Sequence, residues 1–157
     1  MSQSPIEVGA KAPEFSLPRD GGGEVALSDF SGKPVVLFFY PKASTPGCTT
    51  EARDFTALLG AFEAAGAVVL GISKDSVKKQ ENFVAKQELG MALLSDADSD
   101  TCERYGVWGE KQMYGKSFMG ITRATFLIGP DGKVAQAWPK VKVAGHAEEV
   151  LAAVRAL

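Results

Sequence analysis

The chain is poor in the residues that form disulfides and bind metals, with two cysteines and one histidine among 157 residues. Two cysteines cannot build a disulfide framework, so we expect a reducing compartment, namely the cytoplasm. The histidine, His146, has no cysteine or carboxylate at ligand spacing, and we expect it to cap a helix or lie on the surface. We therefore expect no metal and no cofactor.

Long apolar runs, strong net charge and internal repeats are missing as well. No apolar run approaches the roughly 18 residues of a membrane span, and residues 1–7 lack the pattern of a secretory signal. The net charge is −2 and the aromatic residues are spread along the chain, which argues against nucleic acid and against an anionic membrane. No segment indicates an interface between copies, and we expect a monomer.

The chain does contain enough apolar material for one packed core, since 45% of its residues are hydrophobic. We place a single domain over residues 1–157. Buried-strand patterns at 35–40 and 67–72 flank a helical pattern from 49 to about 65, and a second helix runs from Asp75 or Ser76 to about Leu89. A short strand and a brief helix near 100–105 follow.

The remaining elements complete an α/β fold. Residues 106–121 read as a long connection, 124–128 and 134–138 as a hairpin, and the last helix has an apolar face that includes Val150 and Val154. This order predicts a thioredoxin-like three-layer sandwich. Its central mixed sheet is flanked by helices, and extra strands are added at the N-terminus.

The segment 38–51, FFYPKASTPGCTTE, carries the strongest functional signal. An apolar strand ends at Pro41, a turn rich in proline and glycine follows, and Cys48 opens a helix. A thiol at a helix start lies at the positive end of the helix dipole, among amides that have no intrahelical partner. Both features favour the thiolate, which is the nucleophilic form of cysteine. We therefore predict that Cys48 is reactive.

Pro41, Thr45 and Cys48 fit the pattern P-x-x-x-T-x-x-C, and here the chain resembles the peroxiredoxins, most closely their Q-type or bacterioferritin comigratory protein branch. Further stretches agree along the chain: VLGIS at 69–73, LLSD at 93–96, YGVWGEK at 105–111 and GITRATFLI at 120–128. The resemblance implies an antioxidant peroxidase that reduces hydrogen peroxide and organic hydroperoxides. Its reductant would be thioredoxin, glutaredoxin or glutathione.

The resemblance also implies a role for each site residue. Cys48 would be the peroxidatic cysteine, whose thiolate attacks peroxide and becomes a sulfenic acid. Thr45 would hydrogen-bond thiolate and peroxide, while Arg123 would hold the peroxide oxygens and stabilise the thiolate. Pro41 would shield the site from water, and Glu51 would orient Arg123. Thiol ionisation alone gains only about tenfold in nucleophile, so most of the rate must come from orienting and stabilising the reacting peroxide.

Two mechanisms could resolve the Cys48 sulfenic acid, that is, reduce it back to the thiol through a disulfide. In the Q-type branch a resolving cysteine often lies five positions after the peroxidatic one, where this chain has Arg53, or in the next helix, where 76–89 contains no cysteine. Cys102 is the remaining internal candidate, but its apolar neighbours favour a buried packing residue. We expect a one-cysteine mechanism with an external thiol, and a Cys48–Cys102 disulfide recycled by thioredoxin is the alternative.

Two other functions are compatible with the residues. A general thiol–disulfide oxidoreductase would have C-x-x-C at the helix start, but Thr45 occupies the first cysteine position. A redox-inert binding module would use Cys48 only for packing. The connection 106–121 also holds a group of large apolar residues, which we expect to pack under a long loop, with an apolar collar or a reductant-docking patch as the alternative. This group is Trp108, Met113, Tyr114, Phe118 and Met119.

Overall fold

The computed structural model describes residues 5–157, so the part of the signal-peptide expectation that falls on residues 1–4 lies outside it. Its elements are β1 (Ser16–Pro18), β2 (Glu24–Ala26), a 3-10 turn (Leu27–Phe30), β3 (Val35–Phe39), α1 (Pro46–Ala57), α2 (Leu59–Ala64), β4 (Val68–Ser73), α3 (Val77–Gln87), β5 (Ala92–Ser95), α4 (Thr101–Arg104), β6 (Trp108–Met113), β7 (Lys116–Ile121), β8 (Ala124–Ile128), β9 (Val134–Trp138) and α5 (His146–Arg155). Among these residues no helix has the length and apolar character needed to cross a membrane.

Five strands form a central mixed sheet in the order β5-β4-β3-β8-β9. β3 and β4 are parallel, as are β4 and β5, whereas β8 runs antiparallel to both β3 and β9. β1 and β2 form a separate antiparallel pair, the extra N-terminal strands that the sequence predicts. The thioredoxin-like α/β fold is thereby confirmed.

The sheet separates two apolar cores, because successive side chains of a strand point to opposite faces. Phe38 and Tyr40 lie in the core that contains buried residues of α1, α2, α3 and α5. Leu37 and Phe39 lie in the other core, with α4 and the N-terminal pair of strands. The four longer helical segments therefore share one face, and the sequence prediction did not resolve this division.

The predicted helix 49–65 is two helices, because α1 ends at Ala57 and α2 begins at Leu59. The Leu58 amide bonds three residues back, to the Phe55 carbonyl at 3.1 Å, in place of the four-residue spacing of a continuous helix. Gly60, a poor helix former, follows the break. The helix also starts earlier than predicted, since Pro46 suits the first helical position.

Residues 106–121 are not the predicted long connection, because β6 and β7 form an antiparallel hairpin. Tyr114 and Gly115 at its tip both have positive φ, 55° and 76°, the conformation of a two-residue turn that matches strand twist. The expected packing is wrong for Tyr114, Phe118 and Met119, which are exposed. Trp108 is half-buried, and the side chain of Met113 lies outside the described part of the chain.

Gly71 of β4 lets the core under α1 pack tightly. A Cβ at this position would lie 2.7 Å from ring atom Cζ of Phe38 and 2.7 Å from Cδ2 of Leu93. The Phe38 ring in turn stacks on Phe55 of α1, with centroids 4.8 Å apart. A side chain at position 71 would therefore press Phe38 toward the helix that carries Cys48.

We expect Gly71→Ala to lower the free energy of unfolding by roughly 1–3 kcal/mol, the usual cost of overpacking a core. Urea denaturation measures the change. Gly60→Ala is the matched control, since no atom lies within 4 Å of its added Cβ and alanine favours a helix. Equal denaturation midpoints for both variants would contradict the packing assigned to Gly71.

Candidate active site

The sheet topology brings Arg123 to the start of α1. β3 and β8 are antiparallel and Phe39 pairs with Ala124, so the residue before β8 lies beside the end of β3. The chain leaves β3 there and enters the loop to α1. The Arg123 carbonyl is fixed by the Val141 amide at 2.9 Å. Two residues that are 75 positions apart, Cys48 and Arg123, therefore meet at one edge of the sheet.

Cys48 is the third residue of α1, and its side chain is buried, with 1% exposure. Pro46 has no amide hydrogen, and the Thr49 amide bonds back to the Thr45 carbonyl at 2.9 Å. Within residues 5–157 the amides of Gly47 and Cys48 have no backbone or side-chain acceptor, so these two donors and the helix dipole favour an anion at the helix start.

The guanidinium of Arg123 joins the other groups of the site. Its Nη2 donates to Cys48 Sγ at 3.3 Å, and its Nη1 donates to Glu51 Oε1 at 2.8 Å. Glu51 lies one turn after Cys48 with 1% exposure. The structure therefore brings these three residues together, with Arg123 between Cys48 and Glu51.

Gly47 lets the Arg123 guanidinium approach Cys48 closely. A Cβ added to this glycine would stand 3.1 Å from Arg123 Nη2, the nitrogen that contacts Cys48.

We expect Gly47→Ala to leave the fold intact, because a long arginine side chain can shift. For the peroxide reaction that the resemblance implies, the displaced guanidinium should lower the rate by roughly tenfold, which is about the effect of weakening one hydrogen bond to a charged group. Peroxide kinetics checks this, and an unchanged rate would contradict the tight approach.

Burial raises the pKa of Glu51 to about 7, although the charge of Arg123 and the hydrogen bond from it act in the opposite direction. Its second oxygen, Oε2, has no hydrogen-bond partner among the residues that the structure describes. The pKa of Arg123 is raised: burial opposes its charge, but Glu51 and Cys48 outweigh that effect. The ion pair therefore depends on the ionisation of Glu51 near neutral pH.

Thr45 and Pro41 lie in the loop between β3 and α1. Thr45 precedes the helix, but its hydroxyl donates to the Lys42 carbonyl at 2.8 Å and not to Cys48. Pro41 is half-buried and lines an open groove, which Trp108 and Lys111 also line. The predicted contact between Thr45 and the thiol is absent from the described residues, whereas Pro41 lies at the groove as a shielding residue would.

Cys102 is not brought to the site. It belongs to the core on the face of the sheet opposite Cys48, and its amide donates to Asp96 Oδ2 at 2.8 Å. Burial and the Asp96 carboxylate raise the pKa of the Cys102 thiol well above its usual range. Both cysteines are free.

The sequence analysis expected His146 to cap a helix or to lie on the surface, and both expectations are wrong. It is buried, Gly145 occupies the capping position, and His146 Nε2 lies 2.8 Å from the Thr125 hydroxyl oxygen. Burial lowers the pKa of this histidine. The apolar neighbours that bury it, Phe55 and Trp138, come from distant segments that spacing along the sequence does not reveal. Within residues 5–157 no group of three or more metal-binding side chains is assembled.

Two residues near the site were missed in the sequence. Lys111 Nζ donates to the Ile121 carbonyl at 2.9 Å, and burial lowers its pKa, as does the charge of Arg123, while Cys48 raises it. Asp75 accepts the Ala43 amide at 2.7 Å. The sequence marks it as a possible helix start, and the signal that could have linked it to the site is its place after a parallel strand, where side chains often serve a site.

A helix-start thiol beside a guanidinium, on a thioredoxin-like sheet, defines the class of thiol-dependent peroxidases. The chain belongs to the AhpC/TSA family, whose family model matches residues 8–137. It is 51% identical to Peroxiredoxin Bcp of Xanthomonas campestris over 156 residues, which cover 99% of this chain and 98% of that protein. It is 45% identical to Peroxiredoxin Bcp of Escherichia coli over 148 residues, 94% of this chain and 95% of the relative.

A solved structure agrees with these relatives. The bacterioferritin comigratory protein of Xanthomonas campestris, studied for its alkyl peroxide reduction activity, superposes with a TM-score of 0.87 at 51% identity, covering 96% of each chain. The resemblance to the Q-type branch is confirmed. The chain is a peroxiredoxin, an enzyme that reduces a peroxide at the expense of a thiol.

Proposed function

We propose that Cys48 is the peroxidatic cysteine and that hydrogen peroxide and organic hydroperoxides, alkyl peroxides included, are its substrates. The observation that carries the proposal is the 3.3 Å hydrogen bond from Arg123 to the Cys48 sulfur at the start of α1. The thiolate sulfur bonds to the nearer peroxide oxygen while the O–O bond breaks. The sulfur keeps that oxygen and its hydrogen as a sulfenic acid, and the departing alkoxide or hydroxide takes a proton from water.

Arg123 and the amides at the start of α1 stabilise the charge that moves in this step, and Thr45 orients the peroxide. Arg123 is fixed by Glu51, so its donors need no reorganisation as negative charge passes from sulfur to the departing oxygen. The Gly47 and Cys48 amides offer further donors. The Thr45 hydroxyl has one hydrogen, which is given to Lys42, and its oxygen is free to accept the O–H of the peroxide. Pro41 excludes water from one side.

We assign resolution to an external thiol. It attacks the sulfenic sulfur, forms a mixed disulfide and releases water; a second thiol then frees Cys48 and leaves as a disulfide. The position of Cys102 supports this route, because a disulfide needs Cα atoms within about 7 Å and the two cysteines belong to cores on opposite faces of the sheet.

Thioredoxin, glutaredoxin or glutathione supplies the thiol. Free, buried cysteines suit a reducing compartment, and we place the enzyme in the cytoplasm as a monomer with a single domain over residues 1–157. This assigns it to antioxidant defence.

The test is steady-state peroxide consumption with each reductant in turn. We expect Cys48→Ser to abolish consumption and Cys102→Ser to keep a rate close to that of the wild type. Mass spectrometry of the peroxide-treated wild type should find no internal disulfide. Loss of thioredoxin-dependent turnover in Cys102→Ser, together with a Cys48–Cys102 disulfide, would overturn the one-cysteine route.

A further inference from the structure

The loop that carries the site is tied to the neighbouring strand by a carboxylate. Asp75 lies between β4 and α3, and its Oδ2 accepts the Ala43 amide at 2.7 Å. The same oxygen accepts the Ser73 hydroxyl at 2.7 Å, which fixes the orientation of the carboxylate. Ala43 lies between Pro41 and Thr45, so Asp75 anchors the middle of the loop.

A second link joins the same network to the residue before Pro41. The Gln80 side-chain amide donates to the Ser73 hydroxyl at 2.9 Å and to the Leu94 carbonyl at 3.0 Å, and its oxygen accepts the Tyr40 hydroxyl. Tyr40 and Gln80 are both fully buried. Buried networks whose members are all bonded hold one arrangement. The loop is therefore held at Tyr40 and at Ala43 by one connected set of groups.

Only the link at Ala43 is at the edge of this network. Tyr40 and Gln80 are enclosed in the core, whereas Asp75 and Ala43 are half-buried and Ser44 next to them is exposed with a positive φ of 66°. A non-glycine residue in this conformation stores backbone strain that its surroundings must hold. Loss of the Asp75–Ala43 hydrogen bond would release that strain while the core link stays intact.

The two halves of the catalytic cycle make opposite demands on this loop. Reaction with peroxide needs the side chains of Cys48, Thr45 and Arg123 held in fixed positions relative to one another. A resolving thiol, however, must attack the sulfenic sulfur from the side opposite the oxygen that the peroxide left, and Cys48, with 1% exposure, has too little open surface for both approaches. The segment 41–48 must therefore move outward before the sulfenic acid is resolved.

We propose that Asp75 is a positioning residue that holds the loop in its peroxide-reactive form, and that breaking its bond to Ala43 admits the external thiol. This inference rests on the proposed one-cysteine peroxidase function. It differs from a role in folding stability alone, since a weaker link should slow the first half of the cycle and speed the second.

The test uses Asp75→Ala and Asp75→Asn, each combined with Cys102→Ser. We expect Asp75→Ala to lower the rate constant with hydrogen peroxide by about tenfold, since a hydrogen bond to a charged group corresponds to roughly that factor. Protein oxidised with equimolar peroxide and then mixed with dithiothreitol should resolve several times faster than its parent. Asp75→Asn keeps an oxygen for the Ala43 amide, so both of its rates should lie between those of its parent and those of Asp75→Ala. Rapid quenching followed by mass spectrometry gives both rates.

Asp98→Ala is the control, because this exposed aspartate loses the same charge away from the loop. If Asp75→Ala lowers both the rate with peroxide and the rate with dithiothreitol, the inference is overturned. Rates equal to those of Asp98→Ala would overturn it as well. If Asp75→Ala does not fold, Asp75→Asn tests the inference instead. It must then react more slowly with peroxide and be resolved faster by dithiothreitol than its parent. A wild type whose Cys48 is not oxidised by peroxide would refute the proposed function itself, a separate outcome.

Discussion

Replacement of Arg123 by methionine is expected to lower the rate constant for peroxide by roughly 10²–10³-fold, the usual effect of removing one fixed donor from a developing negative charge. Arg123 bonds to Cys48 Sγ at 3.3 Å and is itself held by Glu51 at 2.8 Å. Its donors are in place before the peroxide arrives. Stopped-flow mixing with hydrogen peroxide measures the loss.

A parallel measurement separates this effect from simple thiol activation. Alkylation of Cys48 by iodoacetamide needs the thiolate but no donors for a departing oxygen, so Arg123→Met should slow it by only about tenfold or less. Arg53→Met is the control, because it removes an exposed arginine from the same helix. Equal losses for peroxide and iodoacetamide would point to a general thiol–disulfide oxidoreductase.

Glu51→Gln is expected to remove a pH dependence of stability. The pKa of Glu51 is about 7 in the folded protein against an ordinary value of 4.5. Because the folded pKa is the higher one, the associated stability is fully present below about pH 4.5 and is lost as the pH rises through about 7. The shift corresponds to roughly 2–4 kcal/mol in total.

Urea denaturation over this pH range measures the effect, in a Cys48→Ser background that leaves no ionisable side chain at position 48. The variant with glutamine should lose less stability than its parent as the pH rises. Glu63→Gln provides the control, since this glutamate is exposed on α2. If the three stability curves stay parallel, Glu51 does not titrate as its burial requires.

The sequence predicts the parts of this protein that follow from local pattern. Continuous apolar runs predicted β3 and β4, and the Pro/Gly turn predicted a helix start at Cys48. Periodicity also predicted the buried face of α5, including Val150 and Val154. These features depend on residues close together in the chain, where spacing alone determines which side chains share a face.

Features that depend on distant segments were missed or misread. The hairpin of β6 and β7 has Tyr114 before Gly115, in place of the asparagine or aspartate that usually marks such a turn. Asp75 was a candidate cap for α3, but Ser76 takes that role and Asp75 reaches the loop. Arg123 was singled out by family resemblance alone, since only the β3–β8 pairing explains its approach to Cys48.

Sulfenic acid trapping tests the role of Cys48 most directly. Cys102→Ser protein is mixed with equimolar hydrogen peroxide in the presence of dimedone, and the peptides are analysed by mass spectrometry. We expect the peroxide to be consumed and one dimedone adduct to form, on the peptide that contains Cys48. Unreacted peroxide, or a Cys48 peptide without the adduct, would contradict the assignment of this sulfur as the peroxide-reducing centre.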